Sequence, residues 1–285
     1  MSTSLTAIVL LAALMHAVWN ALVKSSADRL IELTALNLAA GAAALVLLPF
    51  VGLPGSESVP FLVGTTLVHT AYYSLLLLSY ARGGLSLVYP VARGSSPIFV
   101  AAVSGIVVGE SLGPMQWLGV ALIAVSIVSL TFTGLAVSGG LRALSSNAVL
   151  FSLATGVSIA AYTLIDGRGA RVSGSALSYI VCMFVLNAFP LLLAPLLMRR
   201  GVALERFRAQ WKTAALGGVL SFMAYGLAIW AMTRATIALV SAVRETSVVL
   251  AAIIGATFLH EPFGRWRVGA AFGVATGIIV LRLAS

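Results

Sequence analysis

Ten apolar stretches, each close to the length of a bilayer-crossing helix, follow one another through this chain with short gaps between them. They run over roughly 4–23, 31–52, 59–81, 85–107, 114–134, 147–166, 173–198, 211–234, 236–258 and 265–283. A hydrocarbon core of about 30 Å takes about twenty helical residues. Within it every backbone polar group must be bonded internally, which favours helices. The gaps are polar: Lys24 to Arg29, Pro54 to Glu57, Arg82 to Gly84, Glu110 to Pro114, and His260 to Gly264. Arg199 to Lys212 reads as the longest charged loop. Short links make sequence neighbours antiparallel neighbours. The pattern predicts an all-α integral membrane protein of ten transmembrane helices. Composition agrees, with 60% hydrophobic and 9% charged residues, against about 25% charged in soluble domains. A soluble fold cannot hide so much apolar surface. The first stretch lacks a basic leader and carries His16, Trp19 and Asn20, so it reads as a retained helix and not a cleaved signal.

The net charge of +9 does not indicate nucleic acid, because the basic residues sit in the gaps between spans. Lys24, Arg29, Arg82, Arg142, Arg199, Arg200, Arg206, Arg208, Lys212, Arg265 and Arg267 fall on one face of a ten-span topology. The other face receives only Arg168, Arg171, Arg234 and Arg282. The positive-inside rule makes the first face cytoplasmic and places both termini outside. Cys182, the single cysteine, cannot form an intrachain disulfide and reads as a packing residue. No Cys/His metal cluster and no cofactor motif is visible. The motif H-E-x-x-H is absent, as is a pair of intramembrane aspartates, which argues against an enzyme.

The two halves of the chain repeat. Residues 85–130 align without a gap on 236–281 at an offset of 151. Arg93 then falls on Arg244, Ser96 on Ser247, Glu110 on Glu261, and Gly113 on Gly264. Matched apolar residues mean little in such a chain, whereas a matched intramembrane Arg is informative because charge there is costly. Trp19-Asn20 likewise overlies Tyr162-Thr163 at an offset of 143. Five spans is an odd number, so the second copy enters from the opposite face. Two inverted five-helix repeats, 1–138 and 139–285, are therefore expected around a central cavity. That architecture is characteristic of secondary transporters, with binding near the midplane.

Candidate site residues follow from polarity inside the spans. Arg93 and Arg244 each lie about eight residues into their helices, or roughly 12 Å deep at 1.5 Å per residue. They are expected on opposite sides of the midplane, Arg93 towards the cytoplasm. Each is either an anchor for an anion or a brace to backbone carbonyls or to Glu245. Glu245 can pair with either Arg or receive a substrate ammonium. Trp19, Tyr72, Tyr73, Tyr80, Tyr89, Tyr162, Tyr225 and Trp230 suggest an aromatic-lined cavity or ordinary interhelical packing. His16 and His69 are ligand or proton contacts, or satisfied core residues. Asn20 and Asn187 read as interhelical glue. Pro90 and Pro97 interrupt the fourth helix, Pro190 and Pro195 the seventh, as gates or simple kinks. Glu110 and Glu261 read as loop or helix-end residues. Gly269, Gly273 and Gly277 form a close-packing face, for the fifth helix or for a dimer.

These features together resemble the drug/metabolite transporter superfamily, in its EamA-type branch. The carriers are the ten spans, the Trp19-Asn20 and Tyr162-Thr163 pairs, and the Gly/Pro-flanked Glu110 and Glu261. Within the branch, the size and the intramembrane Tyr and Trp look most like the bacterial aromatic amino-acid exporters of the YddG type. The resemblance implies a monomeric, basket-shaped carrier of the bacterial inner membrane that opens alternately to either side. It implies export of amino acids, aromatic or large neutral ones, or related metabolites. In that setting Arg would meet a substrate carboxylate, an acid or carbonyl its ammonium, and Tyr and Trp its side chain. Small multidrug relatives exchange protons for cations through a first-helix glutamate. Here the first helix carries no acid, and Asp166 sits at the end of the sixth. Facilitated diffusion therefore fits better. The alternative is a proton-coupled exporter of drugs, organic cations or other metabolites, through His16, His69 or Glu245.

Overall fold

The computed structural model describes residues 1–24, 29–83, 85–132, 146–192, 200–258 and 265–284. Its helices are α1 (Thr3–Lys24), α2 (Arg29–Val51), α3 (Val59–Arg82), α4 (Leu85–Val107), α5 (Pro114–Ser129), α6 (Ser146–Val172), α7 (Ala176–Leu192), α8 (Arg200–Met232), α9 (Ile237–Arg244), α10 (Ser247–Phe258) and α11 (Arg265–Leu283), with a 3₁₀ turn at Ser56–Ser58. No strand occurs among the described residues. Among the described residues, eight segments are long and apolar enough to cross a membrane, α9 and α10 together forming one of them; the shorter apolar helices α5 and α7 complete ten. Phe50, Leu53, Ile106 and Phe272 are each more than 70% exposed. Apolar side chains bared on this scale call for lipid as the surrounding solvent.

Three boundaries differ from the sequence expectation. The sixth helix does not end at Asp166 but continues to Val172. It stops before Gly174, whose φ of +73° supplies the left-handed residue that ends a helix. Gly167 and Gly169 do not break it, because close packing uses their missing side chains. A Cβ on Gly169 would lie 2.5 Å from the Tyr179 ring. The charged run Arg200 to Lys212 is not a loop but the first turns of α8, since Ala, Leu, Glu, Arg and Gln are good helix formers. The ninth span divides into α9 and α10 at Glu245-Thr246. There the Glu245, Thr246, Val248 and Val249 amides bond three residues back, a 3₁₀ tightening that turns successive side chains onto new directions.

The repeats interdigitate. α2 packs on α7 and α5 on α11, so each of these helices meets its own counterpart; α3 on α6 mirrors α1 on α8. Such an arrangement requires an inverted two-fold relation between the copies. In the α5–α11 crossing, a Cβ on Gly277 would stand 3.0 Å from the Gly119 carbonyl, and one on Gly273 would strike the Ser126 hydroxyl. A Cβ on Gly269 would meet nothing within 4 Å, so the glycine face meets α5 through two of its three members. Both termini share one end of the bundle. Arg282 donates to the Thr3 hydroxyl at 2.7 Å, and Gln116 donates to the Ala284 carbonyl at 3.2 Å.

Candidate functional site

The polar centre lies where α1, α4, α9 and α10 meet. The 3₁₀ step after Arg244 puts Glu245 and Ser247 on the inner face, both 1% exposed or less. From α4, the Arg93 Nε comes within 2.8 Å of Glu245 Oε2, and from α9 the Arg244 guanidinium donates to Oε1 at 3.1 Å. The first approach is a charge contact whose angle falls short of a hydrogen bond. The two guanidinium groups, expected on opposite sides of the midplane, are thus gathered on one carboxylate. Arg93 also donates to His16 Nε2 at 3.1 Å and to the Ser247 hydroxyl at 3.4 Å. One negative charge stands against two positive ones. Under the repeat offset, the counterpart of Glu245 is Gly94. A Cβ at Gly94 would press on Val128 at 2.7 Å and the Ala124 carbonyl at 3.0 Å, so α4–α5 packing excludes a second acid there.

Pro97 removes the amide that would have bonded the Arg93 carbonyl. The Ser96 hydroxyl donates to that carbonyl instead, at 3.2 Å. Pro90 and Pro97 are buried inside a continuous α4, so neither divides the helix. Among the described residues around the ions, several buried polar atoms have no hydrogen-bond partner: Thr163 Oγ1, Ser241 Oγ, Thr246 Oγ1 and Arg244 Nε. Such atoms are uncommon in folded interiors and signal a place where polar ligands or water belong.

An aromatic wall borders the ions on the α3, α6 and α8 side. His69 stacks on Tyr162 with centroids 4.2 Å apart, and Tyr162 meets Tyr72 at 5.6 Å and Tyr225 at 5.8 Å. The Arg244 guanidinium lies 5.2 Å from the Tyr225 centroid, and that of Arg93 lies 6.0 Å from Tyr89. His69 is fixed by its own helix, Nδ1 lying 3.0 Å from both the Thr65 carbonyl and hydroxyl.

The structure thus brings together Arg93, Arg244, Glu245, His69, Tyr72, Tyr89, Tyr162 and Tyr225. Others lie elsewhere. Trp19 packs edge-on against His16 at 4.8 Å, and Asn20 donates to the His16 carbonyl of its own helix at 2.8 Å. Tyr73 turns to α2 and donates to Asn37 Oδ1 at 2.6 Å. Trp230 lines a lateral apolar groove of about 440 Å³ between α1, α7 and α8, with Ile8, Leu177 and Phe222. Asn187 donates to the Met183 sulfur of its own helix at 3.0 Å. Pro195 and Glu261 lie outside the described residues.

Sequence reasoning passed over Asp166. It is fully buried and accepts from Tyr179 at 3.0 Å and Tyr225 at 2.6 Å. The available signal was Gly174, which as a helix stop places Asp166 two turns inside α6. Glu110 is a helix-end residue of unforeseen reach. Its Oε2 accepts from the Ile237 amide at 2.8 Å, capping α9, and its Oε1 pairs with Arg171 at 2.6 Å. No group of three His, Cys, Asp or Glu among the described residues is placed to hold a metal.

A model of the EamA-like transporter family matches the chain twice, over residues 4–132 and 146–283. One solved crystal structure superposes on all of this chain and 98% of its own, with a TM-score of 0.74 and 19% identity. At that identity the likeness speaks for the fold alone. A search of curated proteins gives no match.

Proposed function

This chain belongs to the EamA-like transporter family, a multi-pass membrane carrier of small molecules, and on that premise we propose that it exports amino acids with aromatic or large neutral side chains. The observation that carries this reading is the pair of buried guanidinium groups sharing one carboxylate. Their surplus positive charge suits a substrate carboxylate, and Arg244 Nε has no hydrogen-bond partner among the described residues. The Tyr162, Tyr225, Tyr72 and His69 rings offer an adjoining surface for a large side chain. Transport proceeds by alternating access, as facilitated diffusion, in a monomer of the bacterial inner membrane with both termini outside. A C-terminal alkaline phosphatase fusion is then active and a green fluorescent protein fusion dark; the reverse pattern refutes this orientation.

Counterflow in proteoliposomes with a panel of labelled amino acids tests the function. Accumulation of aromatic and large neutral members without a pH gradient supports it. Accumulation of none, with uptake of organic cations driven by a pH gradient, favours the proton-coupled drug exporter instead.

A further inference from the structure

Two carboxylates lie near Arg244, Glu245 against its guanidinium and Asp166 on the hydroxyl of the neighbouring Tyr225, and they differ in what they hold. Both Glu245 oxygens face a guanidinium, one against Arg93 and the other against Arg244. Asp166 has no cation within ion-pair distance among the described residues; its oxygens take one phenol each. The two phenols differ as well. Tyr179 is fully buried and pressed against Gly169, where even a Cβ would lie 2.6 Å from its hydroxyl. It cannot move without parting α6 from α7. Tyr225 is only partly buried and reaches both groups, its hydroxyl on Asp166 and its ring centroid 5.2 Å from the Arg244 guanidinium. One donor is therefore fixed and the other displaceable.

We propose that Asp166 is the ammonium-binding residue of the site, receiving the substrate's amino group in place of the Tyr225 hydroxyl while Arg244 holds the carboxylate. The assignment rests on the amino-acid reading above and narrows it to zwitterions. Arg93, Arg244, Glu245 and Asp166 sum to zero charge, but the Tyr225 ring separates a positive side on α9 from a negative side on α6. A zwitterion is the complement of such a divided site, whereas a simple carboxylate or an organic amine meets only half of it. Charge-assisted hydrogen bonds of about 2.8 Å at each end let an α-amino acid reach across one displaced ring. A buried carboxylate also gains more from a charged donor than from a neutral phenol.

Inhibition of counterflow by phenylalanine and by 3-phenylpropionate, which lacks the amino group, is the test. Asp166→Asn keeps the side-chain shape and one acceptor. It is expected to weaken phenylalanine tenfold or more and to leave 3-phenylpropionate within twofold. Tyr225→Phe removes the competing hydroxyl and keeps the ring. It is expected to tighten phenylalanine relative to 3-phenylpropionate, which keeps the assignment testable should the Asn variant fail to fold. Equal weakening of both inhibitors, or no change in either, overturns the role of Asp166 alone. Wild-type protein that binds neither compound overturns the amino-acid reading and this assignment with it.

Discussion

Glu245 is the residue on which the polar centre depends. Removing one member of a buried ion group leaves the others uncompensated, at a cost of about 3–5 kcal/mol. Glu245→Ala strands two guanidinium groups, and its melting temperature in detergent should fall steeply. Arg244→Ala leaves the Arg93 contact to Glu245 in place. That variant should keep most of its thermal stability and lose transport. Comparable destabilisation of the two would assign Arg244 to structure alone. Arg93, Arg244 and Glu245 were legible in the sequence because charge inside a span is rare and two of the three recur at one offset. Their convergence was not legible, because span depth gives only a position along the membrane normal. The 3₁₀ step that swings Glu245 between the two Arg residues has no Pro or Gly beside it to announce it. Asp166 was missed for a different reason: hydropathy falls off before the helix does, and α6 continues through a polar, glycine-containing end.

Among the helices, glycine spacing was legible as a packing device but not glycine by glycine. Gly269, Gly273 and Gly277 share one face by spacing, yet only the latter two lie in the α5 crossing. Gly277→Leu places a side chain against the Gly119 carbonyl and the Ile123 amide, 3.0 and 3.2 Å from the new Cβ. Overpacking of this kind costs about 1–3 kcal/mol, and since both atoms are backbone, relief requires moving a helix. Gly269→Leu meets open space and should unfold like the wild type. A thermal-shift comparison decides it, and equal shifts would mean that α5 and α11 do not cross here. Pro97 shows the same limit. The sequence marks an interruption, but the Ser96 hydroxyl occupies the freed Arg93 carbonyl and the helix runs on.

The two ends of the molecule are not equivalent, although the repeats relate them. At the end that carries the termini, Arg171 on the last turn of α6 is the centre of a polar cluster. It pairs with Glu110 at 2.6 Å and donates to the Met232 and Ala235 carbonyls at 2.7 and 2.8 Å, while Glu110 caps α9. Arg168 adds a hydrogen bond to the Val107 carbonyl. Four helices, α4, α6, α8 and α9, are thereby tied together at one face. The offsets of 151 and 143 put Glu261 in the place of Glu110 and Asp28 in the place of Arg171. Two acids cannot form that ion pair, so the repeat does not carry this tie over to the two positions, which lie outside the described residues. In an alternating carrier, such an asymmetry biases the resting state towards closure at the terminal-bearing face. Ser241 is a direct reporter, being fully buried on α9 one turn beyond the Glu110-capped Ile237. In a background where Cys182 is replaced by Ala, Ser241→Cys should react slowly with an impermeant maleimide applied to the terminal-bearing face. Adding Glu110→Ala removes charge-assisted hydrogen bonds worth about 1.5–3 kcal/mol, part of which solvent screens because the Arg171 side chain is 30% exposed. Each 1.4 kcal/mol shifts an equilibrium about tenfold, so labelling should accelerate roughly tenfold. The charge-exchanged pair Glu110→Arg with Arg171→Glu should slow it again only if the ion pair, and not the α9 cap, holds the face shut. Labelling that ignores every change at Glu110 would mean that closure resides in the buried helix packing instead.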